Sequence, residues 1–80
     1  MYFVYALKSL ERNYIYVGLT NDLDRRFNEH QTGKNKTTKP YRPFVLIYQE
    51  RFELRIDARQ KEIHLKSGIG KEFLKALSCF

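Results

Sequence analysis

Residues 16–30 read YVGLTNDLDRRFNEH, and the reading of this stretch decides the fold. It opens on β-forming residues, Tyr16 and Val17, and turns polar after Leu19. Asn21 is placed to cap a helix. Asp22 and Asp24 then fall in a first turn, where negative charge meets the positive end of the helix dipole. Gly33 suits the C-terminal stop. Leu23 and Phe27, four residues apart, define an inward stripe. At ~100° per residue, His30 falls about 20° from Leu23 and Arg26 about 60° from it. Both therefore edge the buried stripe and reach toward the groove where helix meets sheet.

Working outward, the runs Tyr2–Leu7 and Tyr14–Leu19 are rich in β-formers and flank the polar KSLERN. They predict an antiparallel hairpin, although LERN is not a strong two-residue turn. Gly33–Pro43, GKNKTTKPYRP, holds two prolines, the cations Lys34, Lys36, Lys39 and Arg42, and no acid, and reads as a basic loop. Phe44–Tyr48, FVLIY, is apolar on both faces and is expected to be a central strand running on to about Arg51. Residues 55–66, RIDARQKEIHLK, predict a second helix with Ala58 and Leu65 inward and Leu54 just before it. Glu62 sits at the edge of that stripe, about 60° from Leu65. Ile56 and Ile63 lie nearly opposite Leu65. They are expected to meet a last helix, Lys71–Leu77, through Phe73, Leu74 and Leu77, with SGIG as the break between the helices. The order ββαβαα is that of an α+β domain with a small sheet.

The 80 residues predict one domain, 1–80, which buries about 60% of the surface that its unfolded chain exposes. Six tyrosines and six phenylalanines accompany the 30% of charged residues, which separates the chain from disordered sequences. The single cysteine, Cys79, cannot form an internal bridge or a multi-cysteine metal site. It reads as a small apolar residue in a protein of a reducing, cytoplasmic compartment. The apolar opening YFVYAL is too short for a signal peptide core or a membrane span, so no membrane partner is expected. Fifteen Lys and Arg against nine Asp and Glu leave a net charge of +6, which suggests a polyanionic partner, most simply nucleic acid. A generally basic, soluble surface is the plainer explanation of the same charge.

One constellation carries chemistry. Tyr5 and Tyr16 lie on adjacent predicted strands, where hairpin pairing brings their hydroxyls to one face. Arg26 and His30 follow on the first helix and Glu62 on the second. This set suits phosphodiester hydrolysis. A single carboxylate holds a Mg²⁺ ion that keeps most of its water shell, and the ion stabilises the leaving oxygen and the non-bridging charge. Arginine forks onto phosphate oxygens. A tyrosine whose pKa falls well below about 10 beside a cation can take a proton from water. Each residue also has a structural explanation: β-forming tyrosines with hydroxyls at the rim, Arg26 paired with Asp22, a core histidine, and Glu62 paired with Lys66.

In that order, the residues resemble the GIY-YIG endonucleases. FVY (3–5) and YVG (16–18) stand where that family has its two strand motifs, and TNDLDRRFNEH (20–30) resembles its arginine–histidine helix. ARQKEIHLKSGIGKEFLK (58–75) resembles the carboxy-terminal half, and GKNKTTKPYRPF the loop of the small, single-domain bacterial branch. The resemblance implies a three-stranded antiparallel sheet flanked by helices and a divalent-metal-dependent DNA endonuclease, structure- or repair-related. It implies Tyr5 and Tyr16 as the paired tyrosines, one acting as general base or water orienter. Arg26 would stabilise the transition-state phosphate, His30 would assist by proton transfer or by orienting a tyrosine, and Glu62 would bind one Mg²⁺ or Mn²⁺. Gly18 would let backbone or substrate approach closely. Phe3 replaces the first glycine of the name motif. The C-terminal asparagine or loop histidine that some members use is not found. His64 lies about 200° from Glu62 on the second helix and takes no role.

The basic loop is placed to hold a phosphate backbone through Lys34, Lys36, Lys39 and Arg42, with binding that weakens as salt rises. No zinc finger, helix-turn-helix spacing or aromatic RNA platform is visible. The expected partner is DNA. RNA stays open, because every contact invoked is to phosphate. Without an attached specificity domain, the chain is expected to act on a DNA shape or lesion, with a partner protein, or as a homodimer. A non-catalytic nucleic-acid-binding module and, more remotely, a protein-interaction domain are the alternatives.

Overall fold

The computed structural model describes residues 1–78; Cys79 lies outside the described residues. Strand β1 runs Tyr2–Ser9 and β2 Ile15–Thr20, helix α1 follows at Leu23–Thr32, and a single 3-10 turn spans Lys39–Tyr41. Strand β3 (Phe44–Phe52) and helices α2 (Arg55–Lys66) and α3 (Gly68–Leu77) complete the order ββαβαα. The three strands form one antiparallel sheet in the order β2-β1-β3.

The central strand is β1, and the expectation that FVLIY is central is corrected: β3 is an edge strand. The physical reason is that helices cover both faces of this sheet. A strand is apolar on both sides whenever both its faces are covered, whether or not it has two neighbours. In β1 the run Val4–Leu7 is fully buried. Its alternation feeds two cores. Val4 and Ala6 pack with Val17, Ala58, Leu65 and Leu74 on the α2/α3 face. Tyr5 and Leu7 pack with Phe44, and beside them lie Leu23, Phe27 and Tyr41 on the α1 face. A register shift between Ala6 and Leu7 leaves Ile47 of β3 without an opposite residue, so Ile47 and Tyr48 both pack on the α2/α3 side.

Three local expectations are also corrected. Asp22, not Asn21, caps α1: its carboxylate accepts the Arg25 backbone N–H at 3.2 Å. Asp22 brings a full negative charge to the helix start, and the Thr20 hydroxyl fixes the approach by accepting the Asp22 N–H. SGIG is not a break. Ser67 alone separates the helices, and its hydroxyl accepts the Gly70 N–H to start α3. Gly70 lies against the backbone of Leu65, where a side chain would not fit, so the two helices cross tightly at that point. Ile56 and Ile63 stay 65% and 55% exposed and do not meet α3, which buries Leu74 and rests Phe73 edge-on against Tyr48. Leu54 is exposed at the start of α2. The basic loop is tethered rather than loose. The Ser9 hydroxyl donates to the Tyr41 carbonyl, Tyr41 stacks on Tyr14 at 3.8 Å, and the Leu10 N–H donates to the Pro43 carbonyl.

Candidate active site

Tyr5 sits directly opposite Gly18 in the β1–β2 ladder. A methyl group on Gly18 would fall 2.5 Å from the Tyr5 hydroxyl oxygen and 3.0 Å from the Tyr16 ring. The glycine therefore makes room for a neighbouring side chain: the Tyr5 phenol lies across β2 where Gly18 has nothing to offer. The expected close approach of backbone or substrate at Gly18 is thereby corrected, because Tyr5 already fills that space.

The phenol ends in a buried polar chain. The Tyr5 hydroxyl and His30 Nε2 are 3.0 Å apart, and His30 Nδ1 is 2.8 Å from the Thr38 hydroxyl. The Thr38 hydroxyl donates to the Asn35 carbonyl, which can only accept. In the tautomer that suits that bond, His30 Nδ1–H donates to Thr38 and the unprotonated Nε2 accepts from the Tyr5 O–H. Asn35 holds the loop in place, its side-chain oxygen accepting the backbone N–H groups of Thr37 and Thr38. His30 and Thr38 are both fully buried. No buried side-chain polar atom among the described residues lacks a partner. His30 was expected at the edge of the helix stripe, and the loop closing over it buries it.

Burial, then the nearby Arg26 charge, depresses the His30 pKa to about 4, so the imidazole is neutral at pH 7. Burial, then the neighbouring Tyr16, raises the Tyr5 pKa to about 12, and the Arg26 guanidinium pulls in the opposite direction. The expectation of a tyrosine activated well below its ordinary value does not hold for Tyr5, because desolvation outweighs the adjacent cation. Tyr16 is half-buried, its ring 6.2 Å from that of Tyr5 and 4.7 Å from that of His30.

Arg26 reaches the same place from α1. Its guanidinium donates to Glu29 at 2.8 Å. Burial works against its charge, but Glu29 and the two tyrosines hold its pKa above the ordinary value. The expected Arg26–Asp22 pair is not formed: Asp22, drawn to the cap, faces Arg25 instead. Glu62 comes from α2, which packs against β1 and β2 on the other face of the sheet. Glu62 is 7% exposed, and its carboxylate accepts from Arg59 at 2.6 Å and from Lys66 at 3.3 Å. Its charge contributes to the raised Tyr5 pKa.

Two grooves flank this cluster along the free edge of β2. One, of about 380 Å³, runs past Ile15, Tyr16 and Val17 to Leu65, Lys66 and Leu74. The other, of about 520 Å³, lies at the far end of β2 beside Leu19 and Thr20 and gathers Arg25, Arg26 and Arg55.

A model of the GIY-YIG catalytic domain matches residues 1–73. The chain belongs to the GIY-YIG family. Its relatives include a UPF0213 protein of Staphylococcus haemolyticus, 35% identical over 77 residues, or 95% of this chain and 93% of that one. A UPF0213 protein of Vibrio campbellii is 42% identical over 64 residues, which are 79% of this chain but 61% of that protein. The solution NMR structure of a UPF0213 protein from Bacillus halodurans matches with a TM-score of 0.57 at 34% identity, over 96% of this chain and 85% of that one.

In this GIY-YIG domain Tyr5, Tyr16, Arg26 and His30 come together, whereas Glu62 comes from the helix on the other face, is paired with Arg59 and Lys66, and lines neither groove. Lys34, Lys36, Lys39 and Arg42 are all exposed, and none has a carboxylate partner among the described residues. The Arg42 guanidinium also lies over Gly33 at the end of α1, so it is partly structural. Thr38 and Glu29 are the residues that sequence reasoning missed. The spacing of Glu29, three after Arg26, was a usable signal. Thr38 had none, because the loop that carries it has no periodicity. Among the described residues there is no cluster of three or more His, Cys, Asp or Glu. A metal at this site would have Glu62 as its one protein ligand. That fits Mg²⁺, which keeps its waters and takes substrate phosphate as a further ligand. The cations now on Glu62, Arg59 and Lys66, are exposed and can yield to a dication.

Proposed function

We propose that this chain is a divalent-metal-dependent endonuclease that hydrolyses phosphodiester bonds in DNA, in a structure-specific or repair role. The observation that carries the reading is the Tyr5–His30–Thr38 chain with Arg26 at its open end. A small core gains nothing in stability from a buried polar chain that an apolar one would not supply. A hydroxyl oriented by a neutral imidazole beside a guanidinium is what water activation at a phosphate requires.

In this reading the Tyr5 O–H points inward at His30; the ring is fully buried at rest, and Arg26 moving from the Tyr5 oxygen onto the phosphate opens that oxygen to a water. With its pKa near 12, Tyr5 stays protonated at rest. As the water's proton passes to Tyr5, the Tyr5 proton passes to His30 Nε2, and the resulting hydroxide attacks phosphorus. Arg26 forks onto the non-bridging oxygens, its approach set by Glu29. A phosphate on Arg26 also offsets the charge that opposes His30 protonation. Tyr16 orients the link from the surface side, and the leaving oxygen takes a proton from solvent. Glu62 would hold Mg²⁺ or Mn²⁺, which supplies Lewis-acid stabilisation of the developing charge.

The test is to incubate the protein with branched, nicked and single-stranded DNA, with and without Mg²⁺ or Mn²⁺. Cuts that require the ion are expected. They should fall by about 10²–10³-fold in Arg26→Ala, the scale of losing one transition-state donor, and similarly in Glu62→Ala and Tyr5→Phe, with folding checked by circular dichroism. Salt-sensitive binding without cuts would overturn catalysis and leave a nucleic-acid-binding module. Cleavage of RNA alone would overturn the substrate.

A further inference from the structure

Resting on the nuclease reading, we infer that the 380 Å³ groove along the β2 edge seats one unstacked nucleobase of a single strand, next to the link that is cut. The groove is of ligand-binding size, apolar with a few polar groups at its margin. Its floor is Ile15, Val17, Leu65 and Leu74. Three lysines, Lys66, Lys71 and Lys75, line its margin, and no acid does. Lys71 has no carboxylate partner among the described residues, and the Lys75–Glu72 contact is long, at 3.7 Å, and exposed. An apolar floor with a row of cations alongside matches a base with its attached phosphate better than a neutral peptide.

The groove is also in the right place. Its β2 wall is residues 15–17, the arginine groove takes residues 19–20, and Gly18, with the Tyr5 phenol across it, lies between. At ~3.3 Å per residue the two groove centres are about 12 Å apart along β2. A strand lying on this edge would put a base in one groove, a phosphate link at Tyr5 and Arg26, and the next phosphates at Arg25 and Arg55. As an edge strand, β2 offers unpaired backbone N–H and C=O groups to the rim of that base. Lys66 joins the groove to the site, since its ammonium also donates to Glu62.

The experiment measures binding of a fluorescent single-stranded oligonucleotide without metal, beside copies that carry one abasic position each and beside the duplex. One abasic position is expected to weaken binding by about 5–100-fold, the range of a single base stack, and the duplex to bind more weakly than the single strand. Lys71→Glu with Lys75→Glu, both on the exposed face of α3, should weaken the intact strand by at least about tenfold and abolish the abasic difference. Equal affinity for intact and abasic strands, or no binding at low salt, would overturn the base site. A dimer that buries the β2 edge and does not dissociate with oligonucleotide would overturn it in favour of strand pairing between two copies. Base-dependent binding without cleavage would sustain this site while refuting the nuclease. Cleavage without base dependence would do the reverse.

Discussion

The two faces of the sheet are built by the same central strand from opposite chemistry. On the α2/α3 face Val4, Ala6, Val17, Ala58, Leu65 and Leu74 make an aliphatic core in which nothing needs a partner. On the α1 face Tyr5 brings a hydroxyl inward, and His30 and Thr38 must be present to satisfy it. Each transfers apolar surface out of water, but the second buries neutral polar groups linked in a chain, whereas the first holds the Glu62 carboxylate at its margin with Arg59 and Lys66. The comparison separates the residues that hold the domain together from those that hold a site in one geometry. The strict alternation of β1 makes that division possible within a run of four buried residues.

The comparison breaks most completely at Gly18. Gly18→Ala pushes the Tyr5 phenol off β2, and is expected to abolish detectable cleavage while lowering stability by about 1–3 kcal/mol, the cost of an overpacked contact. Nuclease assay and denaturant melts together check it; retained cleavage would show that Tyr5 does not need its place across the strand. Next comes the aliphatic face. Leu74→Ala should cost about 2–5 kcal/mol in urea unfolding, yet leave the His30-linked pH dependence of that stability unchanged, since Leu74 touches none of the polar chain. The third effect, absent at neutral pH, is a pH dependence confined to the polar face. Native His30 has a pKa near 4, against 6.5 for the group in the unfolded chain. Between these values the unfolded state binds more protons. The stability due to neutral His30 is therefore complete above about pH 6.5 and is lost as pH falls toward 4, with a slope of at most about 1.4 kcal/mol per unit. Unfolding midpoints measured across that window should lose this slope in His30→Gln. An unchanged slope would show that His30 is not held neutral by the fold.

Much of this was visible in the chain before any tertiary structure. The strand runs, the α1 stop at Gly33 and the inward pair Ala58 and Leu65 followed from periodicity and end signals, because these are local properties. The candidate site residues came from chemistry and from family resemblance together. Spacing alone left His30 at a helix edge and Glu62 equally well paired with Lys66, a pairing the fold does contain. Edge and centre were confused in β3, because a sequence reports how apolar a strand is and not how many neighbours it has. Ile56 and Ile63 suggested an apolar contact that α3 does not make, since tight packing at Gly70 turns α3 toward β3 instead.

Local sequence was enough for the element order, the net positive charge, and the presence of two phenols, a guanidinium, an imidazole and a carboxylate in register with a known family. Only the folded chain decided that β1 is the middle strand, that the Tyr5 ring lies over Gly18, and that a threonine from an irregular loop closes on His30. The reason is physical. Periodicity and capping act over a few residues, whereas proton direction, burial and pKa depend on groups brought together from positions 5, 16, 26, 30, 38 and 62, and nothing but tertiary packing sets their distances.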